Sequence, residues 1–257
     1  MKLEELVNAR KDLLNPTDML IWKYIVNNRK SIAHISVHEL ANLCSVSGAT
    51  IVRFAQKLGF RGFSEMKVAI NFEKPLPADY DGDIIKDIKE FYIKTLEYLT
   101  NLDYGNAVRL IYNASNIFTF SSGYLQSNVV QEMKRLFLGN RIFIYEIINV
   151  GELETIIDSL TEDDLFIFVS LSGESPVIVD FAQRLKVKGV PSISITRLSA
   201  NTLAGLSTVN LYTLPASFKI SDNSDAKFLN LMPFFLLVEF LYLKYCLYAN
   251  QQENQFS

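Results

Sequence analysis

Val37 to Phe63 reads VHELANLCSVSGATIVRFAQKLGFRGF. Two short amphipathic helices with one apolar spacing are written into this stretch. Val37, Leu40, Ala41 and Cys44 fall at i, i+3, i+4 and i+7, and Ile51, Phe54, Ala55 and Leu58 repeat the pattern. Each helix therefore has one stripe to bury. Ser36 and Ser47 stand at N-cap positions, and Gly59 stands where a helix closes on a left-handed residue. The outer face of the second helix carries Thr50, Arg53 and Lys57. A helix-turn-helix lays such a helix in the DNA major groove.

The candidate DNA contacts follow from that placement. Ser47 and Thr50, near the helix start, suit base or phosphate contacts, and Arg53 and Lys57 extend the same face. Arg61 and Lys67, further on, suit phosphates, and such contacts make affinity depend on salt. Upstream, Asn15, Pro16 and Asp18 spell an N-cap, a first-turn proline and a capping box. The helix they begin buries Ile21, Tyr24 and Ile25 and ends near Asn28, with Trp22 in packing.

The chain has 257 residues, 49% hydrophobic and 21% charged, enough for one large domain or two smaller ones. Its net charge of −3 is unevenly spread. Residues 1–78 hold 11 Lys/Arg against 7 Asp/Glu, and the remainder is acidic. A basic head on an acidic body fits a nucleic-acid module joined to something that avoids nucleic acid. Cys44 and Cys246 lie far apart in apolar helical patterns and read as buried thiols in a reducing cytoplasm. The N-terminus lacks an apolar signal core, which argues against secretion. Leu229 to Tyr248 is long and apolar, but Pro233, Glu239 and Lys244 interrupt it. It reads as a core or interface helix, not a membrane span.

Residues 73–83 (EKPLPADYDGD) combine two prolines and a glycine with acidic residues and read as a hinge. The expected division is a head at 1–74, a linker at 75–83 and a second domain at 84–249, with a frayed polar tail. Ile84 to Leu99 has helical periodicity. Beyond it, short apolar runs at Ile117–Phe120, Arg141–Tyr145, Leu165–Ser170, Ser192–Thr196 and Val209–Leu214 alternate with helical segments near 123–138, 151–160, 176–188 and 200–205. That alternation implies a parallel sheet with helices on both faces.

Ligands of such sheets bind beyond the carboxyl ends of the strands. Two of those junctions are rich in hydroxyls and glycine. One is Ser170-Leu171-Ser172-Gly173-Glu174-Ser175-Pro176, and the other is Ser121-Ser122-Gly123. Glycine admits close backbone approach, and helix N-terminal N–H groups favour an anion. A serine-rich turn that only caps a helix has the same local sequence.

Residues 14–72, through LNPTDMLIWKYIVNN and SVHELANLCSVSGATIVRFAQKLGFRGFSEMK, resemble the helix-turn-helix domain of the RpiR-type transcriptional regulators. Residues 84–249 are similar to the sugar-isomerase (SIS) domain that follows in that family, above all through FVSLSGESP. The resemblance implies an all-α head plus an α/β SIS domain with a five-stranded parallel sheet flanked by helices. It also implies a cytoplasmic regulator that binds operator DNA as a homodimer or homotetramer and senses a phosphorylated sugar, without cofactor or membrane. Ser170, Ser172, Gly173 and Ser175 match the family's phosphosugar loop position by position. At the first loop, Ser121 and Ser122 are the candidates, but the family's glycine-x-glycine-x-serine pattern is broken. Its serine falls on Leu125, which offers no hydrogen bond.

SIS enzymes interconvert aldose and ketose phosphates and need a base. Both histidines, His34 and His38, lie in the head. Glu132, Glu152 and Glu174 remain as bases with nothing to single one out, so no catalytic residue is expected. The two histidines lack a third ligand, so no metal is expected either. Two alternatives stay open: a phosphosugar isomerase or lyase with an appended helical domain, and a regulator whose SIS domain only dimerises.

Overall fold

The computed structural model describes residues 3, 7–8, 10–32, 35–60, 62–72, 84–214, 217–219 and 227–255. The chain forms two compact units, one built around Met1–Pro77 and one around Ala78–Arg197 with Asn201–Ser257. The stretch expected to be a linker, 75–83, lies outside the described residues, as do His34 and Arg61.

The first unit is helical: α1 (Pro16–Asn27), α2 (Arg29–Ile32), α3 (Val37–Leu43), α4 (Gly48–Lys57) and α5 (Phe63–Phe72). Asn15 and Asp18 exchange two 2.9 Å hydrogen bonds at the start of α1, closing the capping box. Ser36 and Glu39 do the same for α3. The paired stripes converge, with Leu40, Ala41, Ile51, Phe54, Ala55 and Leu58 buried together and Val37, Cys44 and Trp22 packed beside them.

Helices α3 and α4 close alike. Val46 N–H reaches Ala41 O and Ser45 N–H reaches Asn42 O, while Phe60 N–H reaches Ala55 O and Gly59 N–H reaches Gln56 O. Both are Schellman closures with a left-handed residue, Ser45 (φ 54°) and Gly59 (φ 89°). The turn between the two helices is thus a helix ending joined directly to the Ser47 cap of the next.

The second unit begins with α6 (Ile84–Thr100) and α7 (Gly105–Asn113), and the latter is a helix the spacing did not suggest. Then follow β1 (Ile117–Ser121), α8 (Tyr124–Leu138), β2 (Ile144–Ile147), α9 (Val150–Ile156), β3 (Leu165–Val169), α10 (Pro176–Lys188), β4 (Ser192–Arg197), α11 (Thr202–Leu206) and β5 (Val209–Thr213). The five strands make one parallel sheet in the order β2-β1-β3-β4-β5. One face buries Ile117, Leu165, Ile167, Val169, Ile193, Ile195 and Leu211 against α7 and α8. The other buries Phe120, Phe166 and Phe168 against Leu153 of α9, Ile178 and Phe181 of α10 and Leu203 of α11. Central strand β3 is buried at all five positions, which is why it reads as an unbroken apolar run.

Several expectations are corrected, and one element is new. The second strand starts at Ile144, not Arg141, because Arg141 (φ 59°) closes α8 in the left-handed region, with Ile142 N–H on Phe137 O. A short antiparallel pair, β6 (Ser217–Lys219) and β7 (Lys227–Leu229), precedes the last helix. That helix, α12 (Met232–Gln255), starts three residues after Leu229 and runs on through the tail expected to fray. Residues Met232–Asn254 are long and apolar enough to cross a membrane by length and composition. Phe234, Leu237, Val238, Leu241 and Tyr245 nonetheless pack in the sheet's core. Both thiols, expected to be buried, are partly exposed.

Candidate functional site

At the head, Ser47 is the N-cap of α4. Its hydroxyl accepts the Thr50 N–H at 3.1 Å and lies 2.8 Å from the Thr50 hydroxyl. The two hydroxyls sit at the solvent side of the helix start, one turn before Arg53. Arg53 is exposed and has no hydrogen bond or ion pair among the described residues. Ser47, Thr50 and Arg53 therefore share one outward face.

The other cations are engaged inside the head. Lys57 Nζ lies 2.5 Å from the carboxylate of buried Asp18, and Arg10 donates to the Lys57 carbonyl at 3.1 Å. These contacts tie the C-terminal end of α4 to α1 and to Arg10. Lys67 donates to the Ile35 carbonyl at 3.2 Å with its ammonium 6.0 Å from the Phe63 ring. Arg61 is outside the described residues. The His38 ring lies against Gly48 at the head of α4, a neighbour that sequence spacing does not reveal.

In the second unit, pairing of Ser121 with Val169 brings the loops after β1 and β3 side by side on the carboxyl edge of the sheet. Ser122 N–H donates to Val169 O at 3.0 Å. The Ser121 hydroxyl reaches only Gly123 O, at 3.5 Å. Tyr124 and Leu125 then open α8 facing solvent, 82% and 45% exposed.

The loop after β3 is held far more tightly. Ser170 is fully buried and its hydroxyl accepts the Gly173 N–H at 3.1 Å. The half-buried Ser172 hydroxyl accepts the Glu174 N–H at 3.3 Å. Gly173 adopts φ +70°, and a Cβ there would stand 2.2 Å from Asn201 Oδ1. Only glycine fits that conformation and that approach. Ser175 caps α10 by position, without a side-chain capping bond, and Pro176 opens the helix. The first turn of α10 has no acidic residue and its last turn carries Lys186 and Lys188, so its positive end faces the serines.

The segment after β4 clamps this loop. Arg197 N–H and Nε both donate to Leu171 O, at 3.2 and 3.0 Å. Leu203 N–H donates to Gly173 O at 3.1 Å, and the Glu174 carboxylate accepts the Thr202 N–H and hydroxyl, each at 2.8 Å. Asn201 caps α11 through Ala204 N–H and donates to the Thr196 hydroxyl.

The three candidate bases are spoken for. Glu132 takes a two-pronged hydrogen bond from Arg135, which holds its carboxyl below the usual range. Glu152 caps the α9 end through Ile148 N–H and Asn149, and Glu174 caps α11. A cleft of about 290 Å³ flanks the start of α10, lined by Val150, Leu153, Pro176, Val177 and Phe181 with the carboxylates of Glu154 and Asp180. It includes none of the serines, and its two acids suit an anion poorly, so the chemistry points to the loop edge instead. Among the described residues no three His, Cys, Asp or Glu side chains are grouped to hold a metal.

Residues 1–74 match the helix-turn-helix domain of the rpiR family, and residues 110–233 match the SIS domain. The chain is 35% identical over 254 residues, 99% of each chain, to the HTH-type transcriptional regulator GlvR of Bacillus subtilis. The chain belongs to the rpiR family of helix-turn-helix transcriptional regulators. As an rpiR-family member it is a DNA-binding transcriptional regulator that joins a helix-turn-helix head to an SIS domain. Two solved structures share its fold. The Vibrio vulnificus NanR protein complexed with ManNAc-6P aligns over 98% of this chain and 94% of its own, with a TM-score of 0.54 and 18% identity. The sugar isomerase domain of an RpiR transcription factor from Sphaerobacter thermophilus covers 66% of this chain and 93% of its own, with a TM-score of 0.56 and 17% identity.

Sequence reasoning missed the clamp on the serine loop. Its one readable signal was Arg197, a cation at the end of the otherwise buried strand β4.

Proposed function

We propose that this regulator reads an operator through Ser47, Thr50 and Arg53 and changes its grip when a phosphorylated sugar occupies the loops Ser121–Ser122 and Ser170–Ser175. The observation that carries the reading is the loop after β3. Its hydroxyls and glycine stand at the positive end of a 13-residue helix on the carboxyl edge of a parallel sheet. Ser170 is committed to shaping the loop, which leaves the Ser172 and Ser175 hydroxyls and the first N–H groups of α10 to meet the phosphate. Relatives support the reading: NanR is complexed with ManNAc-6P.

On the head, the contacts of Lys57 and Lys67 support reading them as braces rather than as the DNA contacts expected of them, Lys57 holding α4 and Lys67 the entry to α3. Arg53 is the central contact, with Arg61 a further phosphate contact. The division into a head at 1–74, a linker at 75–83 and an SIS domain at 84–249 belongs to the same proposal. So do a homodimer or homotetramer, a cytoplasmic location and α12 as a core helix with no membrane role.

We read the SIS domain as non-catalytic. Its carboxylates Glu132, Glu152 and Glu174 serve as ion-pair partner and helix caps, and it contains no histidine.

Two assays test the reading. With duplexes selected from a random pool, Arg53→Ala lowers specific affinity by about tenfold or more while the fold is kept. Unchanged affinity in a folded variant removes Arg53 from the interface. In thermal denaturation, a hexose 6-phosphate raises the melting temperature of the wild type and not of Ser172→Ala. Equal rises in both would contradict the loop assignment.

A further inference from the structure

The strand-to-helix junctions after β1, β2, β3 and β4 offer hydroxyls, glycines and backbone N–H groups to a ligand. Among the described residues at these junctions and in the first turns of the helices that follow, one side chain is cationic: Arg197. A phosphate dianion met only by neutral donors loses its hydration without a counter-charge, whereas charge-assisted hydrogen bonds are about twice as strong as neutral ones. The position of Arg197 is suited to that need. It ends β4, on the carboxyl edge, and alternation after Ile193 and Ile195 puts its side chain on the face that Ser121 shares on β1. Strand β3 runs between those two strands, so Arg197 and Ser121 flank the serine loop from opposite sides.

The side chain is also aimed. Its Nε donates to Leu171 O, the residue between Ser170 and Ser172, and its own N–H donates to the same oxygen. The backbone tie holds the strand end to the loop, and the Nε tie holds the guanidinium against it. The group is half-buried, and burial pulls it below the ordinary arginine value. Its register partner on β5 is Thr213, a buried residue whose hydroxyl has no hydrogen-bond partner among the described residues. This corner of the sheet edge therefore places a half-buried cation beside a buried hydroxyl.

We propose that Arg197 is an anion-binding residue of the effector site, supplying the positive charge that the serine loop lacks. The proposal rests on the phosphosugar reading of that loop and adds the residue that recognises the phosphate. It also suits a loop after β1 in which Leu125 offers no hydrogen bond: a charged donor on the far side of β3 supplies part of the anion's coordination.

The test is calorimetric titration of the full-length protein with a panel of hexose 6-phosphates, with the unphosphorylated sugars and with inorganic phosphate as separate arms. Wild type, Arg197→Ala, Arg197→Lys and Ser172→Ala are compared. Arg197→Ala is expected to weaken hexose 6-phosphate and inorganic phosphate by about tenfold or more. Arg197→Lys, which keeps the charge and loses the planar fork, should recover part of that loss. Arg197→Gln replaces the alanine variant if the latter lowers the melting temperature of the unliganded protein.

If the folded Arg197 variants bind as tightly as wild type while Ser172→Ala does not, the Arg197 proposal is overturned and the phosphosugar reading survives. If wild type binds inorganic phosphate in an Arg197-dependent way but no hexose 6-phosphate, Arg197 keeps its role and the phosphosugar reading falls. If wild type binds none of these anions, both are overturned.

Discussion

Two loops share the carboxyl edge of the sheet, and they are built to different standards. The loop after β3 is fixed from every side. Ser170 ties it from below, Arg197 and Leu203 hold its carbonyls, Glu174 grips the start of α11, and Gly173 rests on Asn201. The loop after β1 has one firm tie, Ser122 N–H to Val169 O, a long contact from Ser121, and two exposed apolar side chains at its exit. Preorganised donors bind with less ordering cost. The difference teaches that the donors after β3 are held ready while those after β1 are not, so the proposed anion site rests mainly on the β3 side.

The comparison breaks most severely at Gly173. Gly173→Ala places a Cβ inside the van der Waals shell of Asn201 in a left-handed backbone conformation, and it should cost about 3 kcal/mol in denaturant unfolding. A cost near zero would mean that the loop is not pinned as described. A milder loosening is Glu174→Ala, which strips α11 of the carboxylate on Thr202 and should cost about 1 kcal/mol by the same measurement. Its effector affinity should fall further than its stability does, because the loop is freed as well as the helix end. Smallest in expected size is Leu125→Ser, which makes the two loops more alike. It should tighten hexose 6-phosphate binding by about three- to fivefold in calorimetry, equivalent to one neutral hydrogen bond of below about 1 kcal/mol. Weaker binding by that variant would show that Leu125 contributes apolar contact to the effector.

Much of the architecture was legible because it rests on periodicity. The repeated stripes of α3 and α4 converge as read, and the apolar run LFIFV is a strand buried on both faces. Capping was also readable, since Asn15, Ser36 and Ser47 each bond where their side chains imply. What failed was helix endings without glycine. Gly59 and Gly189 announce left-handed closures, but Ser45 and Arg141 adopt the same conformation with a side chain, and so the start of β2 was placed three residues early. The small hairpin β6–β7 has strands of three residues, too short to show alternation.

The candidate sites divide in the same way. Sequence spacing brings Ser47, Thr50 and Arg53 onto one face, but it cannot foresee that Lys57 spends its charge on Asp18, 39 residues away. Likewise, the motif around Ser170–Ser175 can be read in a line of sequence. The clamp supplied by Arg197, Asn201 and Thr202 depends on β4 lying beside β3, which only the fold provides.

The most direct test of the central claim measures operator affinity with and without effector. Fluorescence anisotropy on a selected duplex, titrated with the wild-type protein, should shift by about fivefold or more when a matching hexose 6-phosphate is saturating. Ser172→Ala should bind the same duplex with wild-type affinity and show no shift. An operator affinity that no phosphosugar alters, in a protein that binds the duplex specifically, would contradict the account.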